Sequence, residues 1–293
     1  MLWIFLTAAA APLQVARNAL QRGLVGDAGP WGATLVRFLF GLPFSLAIFA
    51  AVAALTPGAV PHPSAAYGEA VFIGALAQMG ATAALLVAMR RAGFAVATVM
   101  QQSSLPLSAV FGWLALGDRL SAQAWAGIAV TSVGLAILSW PKRDQIEGAG
   151  LGSLLGLASG AAFAVALNAY RQAGLALEPH HAIYAGVASV CVAQAIQSAV
   201  LLTALAIWRP GSLKAVAQSW RPSLGAGFFG AAASACWFAA LALHAAGPVR
   251  AVGVIEAPIA AGVGQRLFKE RLSARQLAGG ILAALGVVAA ALG

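Results

Sequence analysis

The stretch "VIEAPIAAGVGQRLFKERLSA", Val254 to Ala274, sets a glutamate, Glu256, in an apolar run two residues before Pro258. Much of its pattern occurs earlier as "SSLPLSAVFGWLALGDRLSA", Ser103 to Ala122. A shift of 152 lays Pro106 on Pro258, Ala109 on Ala261, Gly112 on Gly264, the first "RLSA" on the second, and Gly134 on Gly286. A shift of 150 lays "VARNA" (15–19) on "VALNA" (165–169) and pairs Asn18 with Asn168. Two matches in the same order, at nearly the same shift, indicate a duplicated chain.

The solvent for this duplication follows from composition. The chain has 293 residues, of which 61% are apolar and 9% charged. Soluble domains sit near ~45–50% apolar and ~25% charged. Too little polar surface is available to cover a soluble protein of this size, so the expected solvent is a lipid bilayer. The net charge of +9 then fits basic loops facing an anionic leaflet rather than nucleic acid. Cys191 and Cys236 lie in separate apolar runs without metal-ligand spacing and read as packing residues. The N-terminal apolar run precedes its first arginine, Arg17, which is the wrong order for a signal peptide, and reads as a retained helix.

A spanning helix needs ~20 mostly apolar residues. Ten such runs are expected, near 2–22, 31–55, 67–90, 95–116, 121–140, 151–172, 181–208, 222–245, 248–267 and 273–292. The breaks between them carry turn chemistry: "GDAGP" at 26–30, "TPGAVPHPSAA" at 56–66, "GDR" at 117–119 and "RPGSLK" at 209–214. The polar stretch 141–150 divides the chain into a first repeat, 1–140, and a second, 151–293. Five helices per repeat is an odd number, so the second repeat enters the membrane from the opposite side. The expected fold is therefore an all-α integral membrane protein of two inverted five-helix repeats, a recurring transporter architecture.

The ends of the two halves, "LALGDRLSAQAWAGIAVTSVGL" and "LFKERLSARQLAGGILAALGV", each downstream of a proline, resemble the drug/metabolite transporter superfamily. The closer resemblance is to its EamA branch, which includes exporters of amino acids and other metabolites. Members often carry an acidic residue before the "RL" position, which Asp118 and Glu270 fill here. The resemblance implies a fold of this kind and export of a small solute, without naming the solute.

Lys and Arg favour cytoplasmic loops. Thirteen of them, from Arg17 to Arg275, fall on the loops after odd-numbered helices or at the helix ends beside them. The other side holds Arg119 and Arg171, with Arg250 near its edge. This bias predicts an inner-membrane protein with both termini periplasmic.

Charged groups at membrane depth are costly and mark functional sites or buried pairs. Arg37 lies about two turns into the second helix. Glu256 lies ~12 Å into the ninth, near mid-membrane. It is a candidate for proton or substrate coupling, or for a structural pair with Arg37 or Arg250. Pro106 and Pro258 lack the N–H that helix interiors need. They predict two related helix breaks suited to gating, the first beside Gln101, Gln102, Ser103 and Ser104. Asn18, Gln78, Asn168, Tyr170 and Trp237 are further candidates for lining the cavity. Gly152, Gly156 and Gly160 form a small-residue stripe for close helix packing.

No nucleophile elbow, zinc motif, phosphate-binding loop or metal cluster is present in the sequence. No enzyme activity, cofactor or metal is expected. The leading expectation is a secondary transporter that exports a small organic metabolite, an amino acid or related solute, by alternating access. Proton coupling is one mode open to it, and a monomer with two repeats suffices. The alternatives are an exporter of amphiphilic cations and, in another class, a lipid-modifying membrane enzyme or a channel.

Overall fold

The computed structural model describes residues 1–139, 146–268 and 273–292. Every regular element in them is a helix: α1 (Leu2–Leu39), α2 (Leu42–Leu55), α3 (Ala65–Ala92), α4 (Phe94–Gln101), α5 (Ser104–Leu116), α6 (Ala122–Ser139), α7 (Ile146–Leu177), α8 (Ala182–Trp208), α9 (Pro210–Gln218), α10 (Trp220–Leu243), α11 (Ala246–Gly253), α12 (Glu256–Phe268) and α13 (Ala274–Leu292). Among the described residues, six stretches are long and apolar enough to cross a membrane: Ala28–Leu55, Ala65–Ala92, Gly150–Leu177, Ala182–Trp208, Trp220–Leu243 and Ala246–Gly264. Ser104–Leu116, Ala122–Ile137 and Leu277–Ala290 are shorter apolar helices.

Several breaks differ from their sequence reading. "GDAGP" breaks the chain as expected, though without a loop: α1 is two helical segments that meet at a kink, across which Gln21 Nε2 donates to the Ala33 carbonyl at 2.8 Å. Gly29 takes a positive φ of 72° just before Pro30, which starts the next helical segment. The run expected at 31–55 is one apolar stretch, Ala28–Leu55, interrupted by a two-residue turn at Phe40 and Gly41. There the chain lies against α10, and a Cβ on Gly227 would collide with the Phe40 and Gly41 backbone. "RPGSLK" is not a loop but the start of α9, with Pro210 at the first helical position, where its missing N–H costs nothing. Residues 146–150 of the expected linker extend α7. Residues 141–145 of that linker, with Lys142 and Arg143, lie outside the described residues, as do Lys269, Glu270 and Arg271.

Charged and polar side chains are embedded in an otherwise apolar interior, and large apolar side chains face outward. Arg17, Arg37, Arg250 and Glu256 are buried, while Leu46, Leu154, Leu285 and Val288 are at least half exposed. That distribution fits a hydrocarbon solvent. Exposed Trp31, Trp208 and Trp220 stand near the α1 kink and α9, at one end of the bundle, as interfacial tryptophans do. Arg17, expected among the loop cations, belongs instead to this buried interior. The packing of α1 on α10 turns it inward.

The most extensive helix contacts are α3 on α7, α6 on α13 and α1 on α10. Small residues set them. On α7, a Cβ at Gly152 would meet Ala92, one at Gly156 would meet Met100, and one at Gly160 would meet Ser103. Where α6 crosses α13, Gly127 faces Gly286 and Gly134 faces Gly279. Gly279 and Gly286 are the 152-shifted positions of Gly127 and Gly134, so the crossing is reciprocal. Gly134→Val should lower the melting temperature of the detergent-purified protein through overpacking of about 1–3 kcal/mol. Gly280→Ala, where a Cβ meets nothing within 4 Å, should leave it unchanged or slightly raised.

Candidate functional site

Two helix breaks face each other in the interior. Pro106 and Pro258 cannot bond the carbonyls four residues back, those of Gln102 and Val254. The α4–α5 break falls at Gln102–Ser103 and the α11–α12 break at Val254–Ile255. Each tightens into three-residue turns: the Leu105 amide donates to the Gln102 carbonyl at 2.9 Å, and the Val254 amide to Ala251 at 3.1 Å. Adding 152 to the bounds of α4 and α5 reproduces those of α11 and α12. The breaks leave Ser104 as the first residue of α5 and Glu256 as the first of α12, where a helix N-terminus favours a carboxylate.

Glu256 is fully buried. Its Oε2 accepts from Gln14 Nε2 at 2.7 Å and from Arg250 Nη1 at 3.4 Å. Its Oε1 accepts a longer bond from Asn18 Nδ2 at 3.4 Å. The rest of the Arg250 fork reaches the other break: Nε donates to Ser104 Oγ at 2.7 Å and Nη2 to Gln102 Oε1 at 2.6 Å. The guanidinium sits 5.3 Å from the centre of the Trp237 ring. Arg17 joins through Asn18, whose Oδ1 accepts from its Nη2 at 2.6 Å and its Nε at 3.2 Å.

Beside this network, Arg37 donates to Thr82 Oγ1 at 3.0 Å and, more weakly, to Ser234 Oγ at 3.4 Å. The Tyr170 hydroxyl donates to Gln78 Oε1 at 3.0 Å, and Gln197 Nε2 donates to the same oxygen at 2.8 Å. Between the groups lies a cavity of about 30 Å³, lined among others by Gln14, Arg37, Gln78, Gln101, Tyr170, Trp237 and Arg250. It has room for water but not for a metabolite. The centre is closed in this conformation. A larger outer groove of about 740 Å³, between the α1 kink, α3 and α8, is apolar apart from Arg209 and Ser212 and holds none of the candidate groups.

Of the residues singled out from the sequence, Asn18, Arg37, Gln78, Gln101, Gln102, Ser104, Tyr170, Trp237 and Glu256 converge here. Asn168 does not. Its Nδ2 donates to the Ser108 and Ala164 carbonyls and fastens α7 to α5. Pro258 is exposed and Pro106 half-buried; they shape the breaks from outside the network. Sequence reading missed Gln14, Arg17, Thr82, Gln197 and Ser234 as site residues. One signal was available: Gln14, Arg17, Asn18 and Gln21 recur at helical spacing and form one polar face on α1.

One end of the bundle is tied shut. Arg171 forks onto Asp118, with Nη2 to Oδ1 at 2.9 Å and Nε to Oδ2 at 3.2 Å, and its Nη1 donates to the Leu241 carbonyl. At the same end, Trp3 stacks on His244 with ring centres 4.4 Å apart. Glu178 accepts from the His180 amide at 2.9 Å and the Val60 amide at 3.0 Å. This joins the loop after α2 to the loop after α7.

Residues 1–140 match the model of the EamA-like transporter family. The EamA-type resemblance carried by the sequence holds over those residues. The family is one of membrane transporters of the drug/metabolite type, and with its apolar helices the chain is a multi-pass membrane protein. A crystal structure of a protein with 19% sequence identity aligns over 99% of this chain and 96% of that chain, with a TM-score of 0.62. At that identity the likeness concerns the fold alone. No curated protein matches the chain.

The loop carboxylate yields a pH prediction. The His180 amide, helped by Val60 and His181, holds Glu178 below its ordinary value of 4.5. A depressed carboxylate stabilises the folded state above the unfolded pKa, and that contribution fades as pH falls through the folded pKa. Glu178→Gln should therefore lower the melting temperature at pH 7. The gap to the unsubstituted protein should close as pH drops below about 4, as melting curves at a series of pH values would show.

Proposed function

We propose that the chain is a secondary active transporter that exports a small organic metabolite, of the amino-acid kind, across the inner membrane by alternating access. One observation carries this reading: two matched helix breaks meet at a closed polar centre, joined by the Arg250 fork. Ten spans in two inverted repeats, 1–140 and 151–293, suit such a centre, because each repeat supplies one break and one wall. The shared 152-residue spacing of α4, α5 and α6 with α11, α12 and α13 supports that division. The Asp118–Arg171 pair closes one end, and its rupture would open a path from that side. No ATPase motif is present in the sequence, so a solute or ion gradient supplies the drive.

Glu256 is the ionisable group best placed for proton coupling, because its protonation would release Gln14 of α1 and Arg250 of α11 together. Saturable counterflow of amino acids by proteoliposomes tests transport itself. Glu256→Gln is expected to insert normally, to slow counterflow at least about tenfold, one charged hydrogen bond's worth, and to flatten its pH dependence. Unchanged, pH-dependent counterflow by a folded Glu256→Gln protein would remove the coupling role. A purely structural pair would behave otherwise: the single variant would lose about 3–5 kcal/mol of stability, and adding Arg250→Gln would restore it.

The charge bias also supports a cytoplasmic location for the end bearing Trp31, α9 and the loop arginines. A reporter fused after Gly293 should read as periplasmic. A cytoplasmic reading from an active fusion would reverse the orientation.

A further inference from the structure

The centre of the bundle holds more positive charge than its own carboxylate balances. Arg17, Arg37 and Arg250 are 1–3% exposed, and Glu256 is the carboxylate among them. Arg250 is answered by Glu256, Ser104 and Gln102. Among the described residues, Arg37 is answered by two neutral hydroxyls and by the Phe38 ring, whose centre is 5.1 Å away, and its Nε has no hydrogen-bond partner. Arg17 shares the single Asn18 oxygen, and its Nη1 has no partner. Among the described residues, no carboxylate lies within salt-bridge distance of Arg17 or Arg37.

The two arginines are held side by side. Their stems cross Gly230, where a Cβ would lie 3.2 Å from Arg37 Cγ and 3.3 Å from Arg17 Cδ. Like charges at membrane depth repel and are costly to bury with neutral acceptors alone. A purely structural arginine would be expected to take a carboxylate partner. Arg37 instead lines the central cavity, next to Tyr170, Trp237 and Phe238. A guanidinium fork matches a planar oxyanion, and the aromatic wall suits an apolar body.

We infer that the transported solute is a small organic oxyanion whose acidic group binds Arg37, with Arg17 beside it, and whose body rests on the aromatic wall. This rests on the transporter reading above and names its substrate class. The same surplus of positive charge disfavours an amphiphilic cation.

The test uses four solutes with a common ring: benzoate, phenyl phosphate, benzamide and benzylamine. Melting of the detergent-purified chain is measured with each. Benzoate or phenyl phosphate should raise the melting temperature, and which does so distinguishes carboxylate from phosphate chemistry. Benzamide and benzylamine should not. Arg37→Gln should weaken oxyanion binding at least about tenfold, as loss of a charged hydrogen bond does. It should melt no lower than the parent chain without solute, because it removes a charge that has no carboxylate partner. Arg37→Lys should keep part of the response. Equal shifts from the amide or the amine, no shift with either oxyanion, an undiminished shift in Arg37→Gln, or a folded Arg37→Gln protein that melts well below the parent would each overturn the inference. If Arg37→Gln does not fold, Gly230→Ala decides: it keeps both charges but displaces their stems, so weaker oxyanion binding supports the site and unchanged binding overturns it. Counterflow of the same solutes separates the two readings. Oxyanion binding without exchange of any solute would remove transport and leave the site. Exchange of benzylamine without oxyanion binding or exchange would remove the anion and leave transport.

Discussion

Arg250 divides its donors between the two helix breaks: Ser104 and Gln102 at the first, and Glu256, at the head of α12, at the second. In a low-dielectric interior these bonds are strong, and an unmet donor is expensive. That sets a constraint on everything around it. The two breaks must stay within reach of one side chain, so the prolines that create them sit two to four residues beyond the residues that meet. Glu256 then extends the same network to α1 through Gln14 and Asn18. A change in one carboxylate is felt by α1, α5, α11 and α12 at once.

Packing around the network keeps it in register. Helices in lipid gain little from hydrophobic burial against one another, so close backbone approach matters more. The Gly41–Gly227 contact and the reciprocal glycines of α6 and α13 allow it. These crossings are tight and resist small displacements. One end is tied differently, by the Asp118–Arg171 fork and by Glu178 across two loops. Charged ties near water can break and re-form at modest cost.

The stability of the centre and its use pull in opposite directions. Glu256 reduces the cost of the buried arginines but does not cancel it, since Arg37 is met by neutral groups, two hydroxyls and the Phe38 ring. Strain of this kind persists where function selects for it. A neutral interior would fold more readily and would bind an acid group less well.

Much of the architecture was legible in the residues themselves. Composition alone determined the lipid solvent, because 9% charged residues cannot cover a soluble surface. Pro106 and Pro258 determined where two helices break, because a missing N–H acts on the carbonyl four residues back whatever surrounds it. The glycine stripe of α7 and the EamA-like character of residues 1–140 were local in the same sense. Tertiary structure alone decided who meets whom. Asn18 and Asn168 are paired by a shift of 150 residues, yet one joins the carboxylate and the other fastens α7 to α5. Arg17 read as a loop cation and is buried, and Gln14 meets a partner 242 residues away. The reason is that the polar face of α1 can mark a side that turns inward, but which groups meet it there is set by the neighbours the helix packs on, and no local pattern records those.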